Sequence, residues 1–242
     1  MKVGVYVDGF NLYYGGRALS GRRSDWKWLD IRSLVGELVA ARRDWAGAVV
    51  DRVVYCTAEV TGEPESLARQ QQYVLALRAH GSVDHVAYGE FQVMAKESLA
   101  AVGKGRRGVE LIQVVEDPLP QARWTRLADD GEHLLVKHRK QEEKGSDVNV
   151  AAHLLIDVLE GAVDAAVVVS NDSDLAFAIA HARTKVPVGV INPRGNPTAG
   201  ALRGKAGDGV GRHWWHRLTV EELYRHPLPE QVDGYRRPPT WT

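Results

Sequence analysis

Asp172 and Asp174 stand in a short polar segment, residues 170–174, that directly follows the apolar and β-branched run 165–169. That run has the composition of a strand buried on both faces, as found in the middle of a parallel sheet. The residues from Leu175 onward predict a helix. Because ligands of open α/β sheets bind outside the carboxyl ends of the strands, we expect both carboxylates to face one crevice there.

Two further aspartates are predicted to reach the same edge of the sheet. Asp8 ends a valine-rich strand over residues 2–7, and Asp147 lies in the first turn of a helix whose predicted N-cap is Ser146. Right-handed crossovers place the carboxyl ends of parallel strands on one edge, so four carboxylates should meet there. Such carboxylates repel one another, and a hard cation such as Mg²⁺ or Mn²⁺ relieves the repulsion and can activate water against a phosphodiester.

Each aspartate taken alone could instead be a helix cap or a turn former. The coincidence of three separate segments on one edge favours a site. Asn11 could orient Asp8 or a metal-bound water, or it could only stabilise a turn. Ser170 and Ser173 are predicted to support the acids as hydrogen-bond donors rather than to act as nucleophiles. The nine histidines are scattered and the chain has one cysteine, so the sequence does not suggest a zinc site.

Positive side chains are clustered in two segments, with one more cation beside Asp147. They are Lys104, Arg106, Arg107, Lys137, Arg139, Lys140 and Lys144. Such clusters are typical of a nucleic-acid path, although exposed turns are the common alternative. Lys144 is either a solvated charge or a phosphate contact, and its position beside Asp147 favours contact. The adjacent Trp214 and Trp215 could stack bases, but a tryptophan pair is more often part of a core.

Composition narrows the class of protein. The 242 residues allow one large or two small domains, and 44% hydrophobic with 26% charged residues indicates a globular chain. The formal net charge is zero, so a nucleic-acid partner must be met by local patches. The lone Cys56 cannot form an intrachain disulfide, which agrees with a cytoplasmic setting. We expect no membrane span and no signal peptide, and the sequence leaves open whether the chain forms a homo-oligomer.

Strands alternate with helices along the chain, which predicts an α/β fold with a mostly parallel central sheet. The pattern is interrupted at about residues 92–135, where we expect a hairpin-like insertion. Residues 15–24, rich in glycine and arginine, are expected to form a mobile loop. From Pro227 onward the chain has four prolines, and we expect a loosely held tail.

Three motifs in this order resemble the NYN family of the PIN-like nuclease superfamily, in its LabA-like branch. They are residues 8–12 (Asp-Gly-Phe-Asn-Leu), 143–149 (Glu-Lys-Gly-Ser-Asp-Val-Asn) and 170–175 (Ser-Asn-Asp-Ser-Asp-Leu). The resemblance covers residues 1–205 and leaves 206–242 as a C-terminal extension with a proline-rich tail. It implies a PIN-like three-layer α/β/α sandwich with Asp8, Asp147, Asp172 and Asp174 at a metal site and Asn11 in support.

The activity that the resemblance implies is a ribonuclease dependent on Mg²⁺ or Mn²⁺, and we expect an endoribonuclease acting on single-stranded RNA. One alternative is an RNA-binding or regulatory module that keeps the fold with little turnover. Another is a phosphatase of the haloacid dehalogenase type, which also places an aspartate after its first strand. That chemistry needs a second acid two residues later, and Phe10 occupies the position.

Overall fold

The computed structural model describes residues 1–105, 108–112 and 124–241. The strands are β1 Lys2–Asp8, β2 Val49–Ala58, β3 His85–Leu99, β4 Ala101–Gly105, β5 Gly108–Leu111, β6 Thr125–Leu127, β7 Leu134–Lys144, β8 Ala165–Val169, β9 Val188–Asn192, β10 Trp214–Arg217, β11 Gln231–Val232 and β12 Tyr235–Arg236. The helices are α1 Gly9–Ser20, α2 Ile31–Ala40, α3 Pro64–His80, α4 Ser146–Leu159, α5 Ala176–Arg183, α6 Gly200–Arg203 and α7 Val220–Arg225. Short 3₁₀ helices lie at Asp25–Lys27, Arg43–Trp45 and Ser173–Leu175. The chain divides into two compact units, Met1–Glu90 with Lys144–Thr242, and Phe91–Glu143.

The first unit is built on parallel strands in the order β10-β9-β8-β1-β2-β3. Both faces of this sheet are buried: Val5 of β1 belongs to one apolar cluster, and the next residue, Tyr6, belongs to another. Helices α2, α3 and α7 contribute to the first cluster, and α4, α5 and α6 contribute to the second. The prediction of an α/β fold with a mostly parallel sheet is therefore confirmed, with helices on both faces.

The prediction of a mobile loop over residues 15–24 is wrong for its first part. Residues 15–20 are helical rather than a mobile loop, because α1 continues to Ser20. The glycines there are required by close packing: a Cβ atom at Gly15 would lie 2.3 Å from the carbonyl oxygen of Pro193. A Cβ atom at Gly16 would lie 2.4 Å from the ring of Trp26. Tertiary contact thus outweighs the low helix propensity of glycine.

The N-cap of α4 is Gly145 rather than the predicted Ser146. Gly145 has a φ of 98°, in the left-handed region that glycine adopts without steric cost. Ser146 is the first residue of the helix and is buried. Asp147 remains in the first turn, as predicted, because the helix start moves by only one residue.

The second unit contains the part of β3 that follows Glu90, the strands β4 to β6, and β7 as far as Glu143. Within it β6 pairs with β7 in antiparallel fashion, and β4 pairs with β5 as a hairpin from Ala101↔Leu111 to Gly105↔Gly108. The hairpin lies in the segment for which a hairpin-like insertion was expected, residues 92–135. The unit extends beyond that segment to Glu143.

The C-terminal segment is packed against the first unit's core, so the expectation of a loosely held tail is wrong. Leu228, Val232 and Trp241 are buried in the same apolar cluster as the first face of the sheet. The ring of Trp28 contacts that of Trp241, and its Nε1–H donates to the carbonyl oxygen of Pro229 at 2.7 Å. Proline here restricts the chain without preventing burial of its neighbours.

We expect Trp241→Ala to lower the free energy of unfolding by about 3 kcal/mol, since it removes a buried aromatic side chain. Trp215→Ala is the matched control, because Trp215 is 40% exposed and should cost about 1 kcal/mol or less. Urea unfolding followed by circular dichroism measures both values. Equal losses in the two variants would show that the C-terminal segment does not contribute to the core.

Within the described ranges, no helix combines the length and the apolar composition needed to cross a membrane.

Candidate active site at the carboxyl edge of the sheet

Adjacent parallel strands bring polar residues together at their carboxyl ends. In the pairing of β1 with β8, Val7 lies opposite Val169, so the next residues, Asp8 and Ser170, are neighbours. On the other side of β1, Asp8 lies opposite Cys56 of β2. The edge predicted from strand composition therefore exists, and Asp8 lies at its centre.

Asp8 is a buried carboxylate held by two donors. Its side chain is 2% exposed, although it stands at a strand end. The Oδ1 atom accepts a hydrogen bond from the backbone N–H of Asn11 at 2.8 Å and so caps α1. The Oδ2 atom accepts from the Ser170 hydroxyl at 3.0 Å. These two hydrogen bonds fix the orientation of the carboxylate.

The residue after Asp8 must be glycine for the chain to turn into α1 at this point. A Cβ atom at Gly9 would lie 2.8 Å from the carbonyl oxygen of Cys56 and 2.8 Å from the ring of Tyr55. The pairing of β1 with β2 fixes the backbone of Tyr55 and Cys56. The close approach places the first turn of α1 directly over the end of β2.

Ser170 links Asp8 to the two aspartates that follow β8. The Ser170 Oγ atom, which donates to Asp8, accepts from the backbone N–H of Asp172 at 3.1 Å. The Asp172 carboxylate in turn accepts from the backbone N–H of Asp174 at 3.0 Å and caps a 3₁₀ helix. Asp172 is half-buried, whereas Ser173 and Asp174 are exposed. One hydrogen-bonded chain thus joins Asp8, Ser170, Asp172 and Asp174.

Asp147, in the first turn of α4, contributes negative charge to the same part of the sheet edge. The pKa of the buried Cys56 thiol is raised to about 12, first by burial and then by the negative charges of Asp8 and Asp147. Burial and then the charge of Asp8 also raise the pKa of Tyr55. Because Cys56 lies opposite Asp8, the two aspartates place negative charge near one point of the sheet edge.

Asn11 is fixed by two further donors. Its Oδ1 atom accepts from the backbone N–H of Asn171 at 3.1 Å and from Nε of Arg194 at 3.2 Å. Arg194 is held in turn by Asn192, whose Oδ1 atom accepts from the Arg194 backbone N–H at 2.8 Å. Asn11 itself is buried, with 4% of its surface exposed. The arrangement adds a cation to an otherwise acidic edge.

Sequence reasoning missed Arg194 and Asn192, and it assigned no role to Asn171, which lies in the third motif. The available signal was positional: Asn192 ends a buried β-branched run in the way that Asp8 does, and Arg194 follows two residues later. Neutral and basic side chains at strand ends attract less notice than paired acids, and nothing local indicated that Arg194 would contact Asn11.

The predicted basic residues fall in different parts of the chain. Lys144 is the last residue of β7, is exposed and belongs to the first unit. Three others lie on β7 within the second unit, where Lys140 pairs with Glu142, while Lys137 and Arg139 are exposed. Lys104 belongs to β4, and Arg106 and Arg107 lie outside the described residues.

The carboxylates at this edge are a suitable kind of metal ligand, but too few of them are grouped to hold an ion by themselves in the part of the chain that the structure describes. In the part of the chain that the structure describes, no group of three or more His, Cys, Asp or Glu side chains is arranged to hold a metal ion. Carboxylate oxygens are nonetheless the donors that Mg²⁺ and Mn²⁺ prefer. Mg²⁺ commonly binds through one or two carboxylates and completes its coordination with water and substrate phosphates.

Comparison with known proteins identifies the class of this α/β chain. The family model of the NYN domain matches residues 2–207, and the chain belongs to that family. The NYN domain is a nuclease-like module.

Two individual proteins are similar to the chain. It is 28% identical over 259 residues to a Pseudomonas putida protein named 6-hydroxy-3-succinoylpyridine 3-monooxygenase, covering 100% of this chain and 75% of the relative. A crystal structure of a protein of unknown function from Vibrio parahaemolyticus aligns with 14% identity and a TM-score of 0.40, covering 89% of this chain and 91% of the other. Neither similarity is close enough to carry an activity over to this chain.

Proposed function

We propose that the chain is a metal-dependent endoribonuclease of PIN-like architecture, in the LabA-like branch of the NYN family, which hydrolyses RNA phosphodiesters. The observation that supports the proposal most is the buried Asp8 carboxylate, joined through Ser170 to Asp172 and Asp174. A buried carboxylate at the carboxyl edge of a parallel sheet lies where ligands of such sheets bind. Membership of a nuclease-like family gives that position its proposed chemistry.

In this proposal the metal ligands are Asp8, Asp147, Asp172 and Asp174, and the ion is Mg²⁺ or Mn²⁺. The described residues form no ready-made group of three ligands, so water and RNA phosphate oxygens would supply part of the coordination. A bound ion of this type supplies an activated water and stabilises the oxygen that leaves the phosphodiester.

The chain's own residues would position these groups. The Ser170 hydroxyl and the Asn11 N–H hold the Asp8 carboxylate in one orientation. Arg194 is exposed, and its Nε–H donates to Asn11, whose own backbone N–H donates to the Asp8 carboxylate. Arginine binds phosphate oxygens well, and we assign Arg194 a phosphate contact.

The basic residues Lys104, Arg106, Arg107, Lys137, Arg139, Lys140 and Lys144 are proposed to contact the phosphate chain of single-stranded RNA. Each phosphate contact contributes about −0.7 to the slope of log K against log salt concentration for a single strand. The double variant Lys137→Glu/Arg139→Glu therefore tests directly whether β7 contributes phosphate contacts.

The substrate class is tested by incubating the protein and Mn²⁺ with single-stranded RNA, single-stranded DNA and a phosphomonoester. Cleavage of RNA into internal fragments supports the proposal. Hydrolysis of the phosphomonoester alone would indicate a phosphatase instead of a nuclease. Tight RNA binding without cleavage would indicate an RNA-binding module.

A further inference from the structure

A second group of chemically distinctive residues lies at the far end of α1. A cleft of about 440 Å³ opens between the last turns of α1 and the segment that leads into the Asp25–Lys27 helix. Its lining residues are Tyr13, Arg17, Gly21, Arg22, Arg23, Ser24, Trp26 and Lys27. Four of these eight residues are cationic and two are aromatic, and none is a carboxylate.

The positive charge of the cleft is only partly compensated. Arg23 pairs with Asp25 at 2.8 Å and lies 4.1 Å from the centre of the Tyr224 ring. Within the part of the chain that the structure describes, no ion pair involves Arg17, Arg22 or Lys27. Burial, and then the charges of Arg17 and Arg69, lower the pKa of Lys27. An anion in the cleft would relieve this repulsion.

The aromatic residues form a row that connects the cleft to the start of α1. The Phe10 ring stacks with Tyr14 at 6.5 Å between centroids, Tyr14 contacts Tyr13 at 5.4 Å, and Tyr13 contacts Trp26 at 5.9 Å. Tyr13 is 37% exposed and Tyr14 is 55% exposed, so both rings present surface to a ligand. The row begins two residues after Asp8, where the proposed chemistry would occur.

We propose that this cleft binds a phosphate group of the single-stranded RNA substrate, with neighbouring bases stacked on Tyr13 and Tyr14. Arg17, Arg22 and Lys27 supply charge, and arginine in particular matches phosphate geometry. Exposed aromatic rings beside a cationic groove are the usual platform for single strands, because every base has a face that can stack. The inference rests on the proposed function and extends it by placing one end of the RNA along α1.

The test measures binding without cleavage, by fluorescence anisotropy of a labelled single-stranded RNA in the presence of chelator. We expect Arg17→Glu/Arg22→Glu to weaken binding and to flatten the salt slope by about 1.4, the contribution of two single-strand phosphate contacts. The control is Arg43→Glu/Lys185→Glu, which makes the same change of charge at two exposed residues that precede β2 and β9, at the opposite edge of the sheet. The control should bind as wild type does.

Two further variants make the outcome specific. Tyr13→Ala should weaken RNA binding at unchanged salt slope, because stacking is lost and no charge changes. Thermal unfolding confirms that each variant is folded, and Arg22→Ala alone replaces the double variant if that one is not. An unchanged slope in the arginine variants, unchanged RNA affinity in Tyr13→Ala, or an equal loss in the control would overturn the inference.

The result is separable from the fate of the proposed function. Loss of RNA binding in the cleft variants supports the inference even if the wild-type protein never cleaves RNA. Cleavage by wild type, with cleft variants that bind and cleave equally well, would leave the nuclease in place and remove the cleft. A nucleoside monophosphate that binds the wild-type protein through Arg17 and Arg22 but does not lower its RNA affinity would assign the cleft to free nucleotides and overturn the inference.

Discussion

Asp8→Asn is expected to reduce RNA cleavage by at least about a thousandfold, the order of loss that follows removal of one carboxylate from a set that acts as a unit. The Asp8 side chain is buried at the carboxyl edge and receives the Ser170 hydroxyl and the Asn11 N–H. Asparagine has nearly the same shape, but it has no charge to hold a cation. RNA cleavage should be lost while the local structure is retained.

The substitution is informative because it should leave the fold intact. Asn caps helices about as well as Asp, so the contact to the Asn11 N–H and the start of α1 are retained. The Ser170 hydroxyl loses its charged acceptor, which costs about 1–3 kcal/mol. Circular dichroism and thermal unfolding of the variant measure this cost separately from the rate.

The matched control is Asp164→Asn. Asp164 is an exposed aspartate at the opposite edge of the same sheet, where it accepts from the backbone N–H of Lys2 at 2.7 Å. Its substitution removes the same charge and should leave the cleavage rate within about twofold of wild type, since a site at one edge of the sheet does not involve the other. Retention of cleavage by Asp8→Asn within tenfold of wild type would remove Asp8 from the proposed site.

Much of the fold followed from strand composition. Residues 165–169 are uniformly apolar because the sheet covers them on both sides with helices, and such a run allows few other structures. Once parallel strands were inferred, the meeting of Asp8 with the end of β8 followed from topology. The contact of Ser170 with Asp8 is of the kind that the sequence predicted for it.

The parts that could not be predicted depend on distant contacts. Gly15 and Gly16 weaken a helix when read locally, and they lie in α1 because Pro193 and Trp26 leave no room for a side chain. Prolines after Pro227 suggested a loose tail, yet the residues between them fill the core. Neither outcome leaves a periodic pattern in the sequence.

The candidate site also combines features that local sequence predicts with features that depend on distant contacts. Paired acids at strand ends identified one edge of the sheet, but no local pattern indicated that Arg194 would reach Asn11 from a loop 183 residues away. The meeting of four carboxylates at one metal stays a prediction, and the described residues contain no group of three or more His, Cys, Asp or Glu arranged to hold an ion. Composition can place acids on one edge, but separations of a few ångströms depend on side-chain packing.

Removal of metal is expected to abolish cleavage, and Mn²⁺ should also stabilise the folded protein. A ligand that binds only the folded form stabilises it by RT ln(1 + [L]/Kd), or about 2.7 kcal/mol at one hundred times Kd. Asp172→Asn should lose most of that gain, because it removes a proposed ligand. Without metal this variant should be no less stable than wild type, since Asn caps as well as Asp and one repelling charge is gone.

A structural role for Asp172 gives the opposite pattern. If the carboxylate served only as the cap that accepts from the Asp174 N–H, Mn²⁺ would shift the unfolding of wild type and of Asp172→Asn equally. Cleavage would then persist in the variant. Thermal unfolding of both proteins across one Mn²⁺ titration distinguishes a metal ligand from a cap.

A single titration tests whether this NYN-family chain cleaves RNA with the help of a metal ion. Protein treated with chelator is mixed with labelled single-stranded RNA, and the cleavage rate is followed as Mn²⁺ is added. We predict no cleavage before the addition, a rate that rises and saturates with Mn²⁺, and no rise for Asp8→Asn. Full cleavage in chelator, or no cleavage at any Mn²⁺ concentration, would contradict the account.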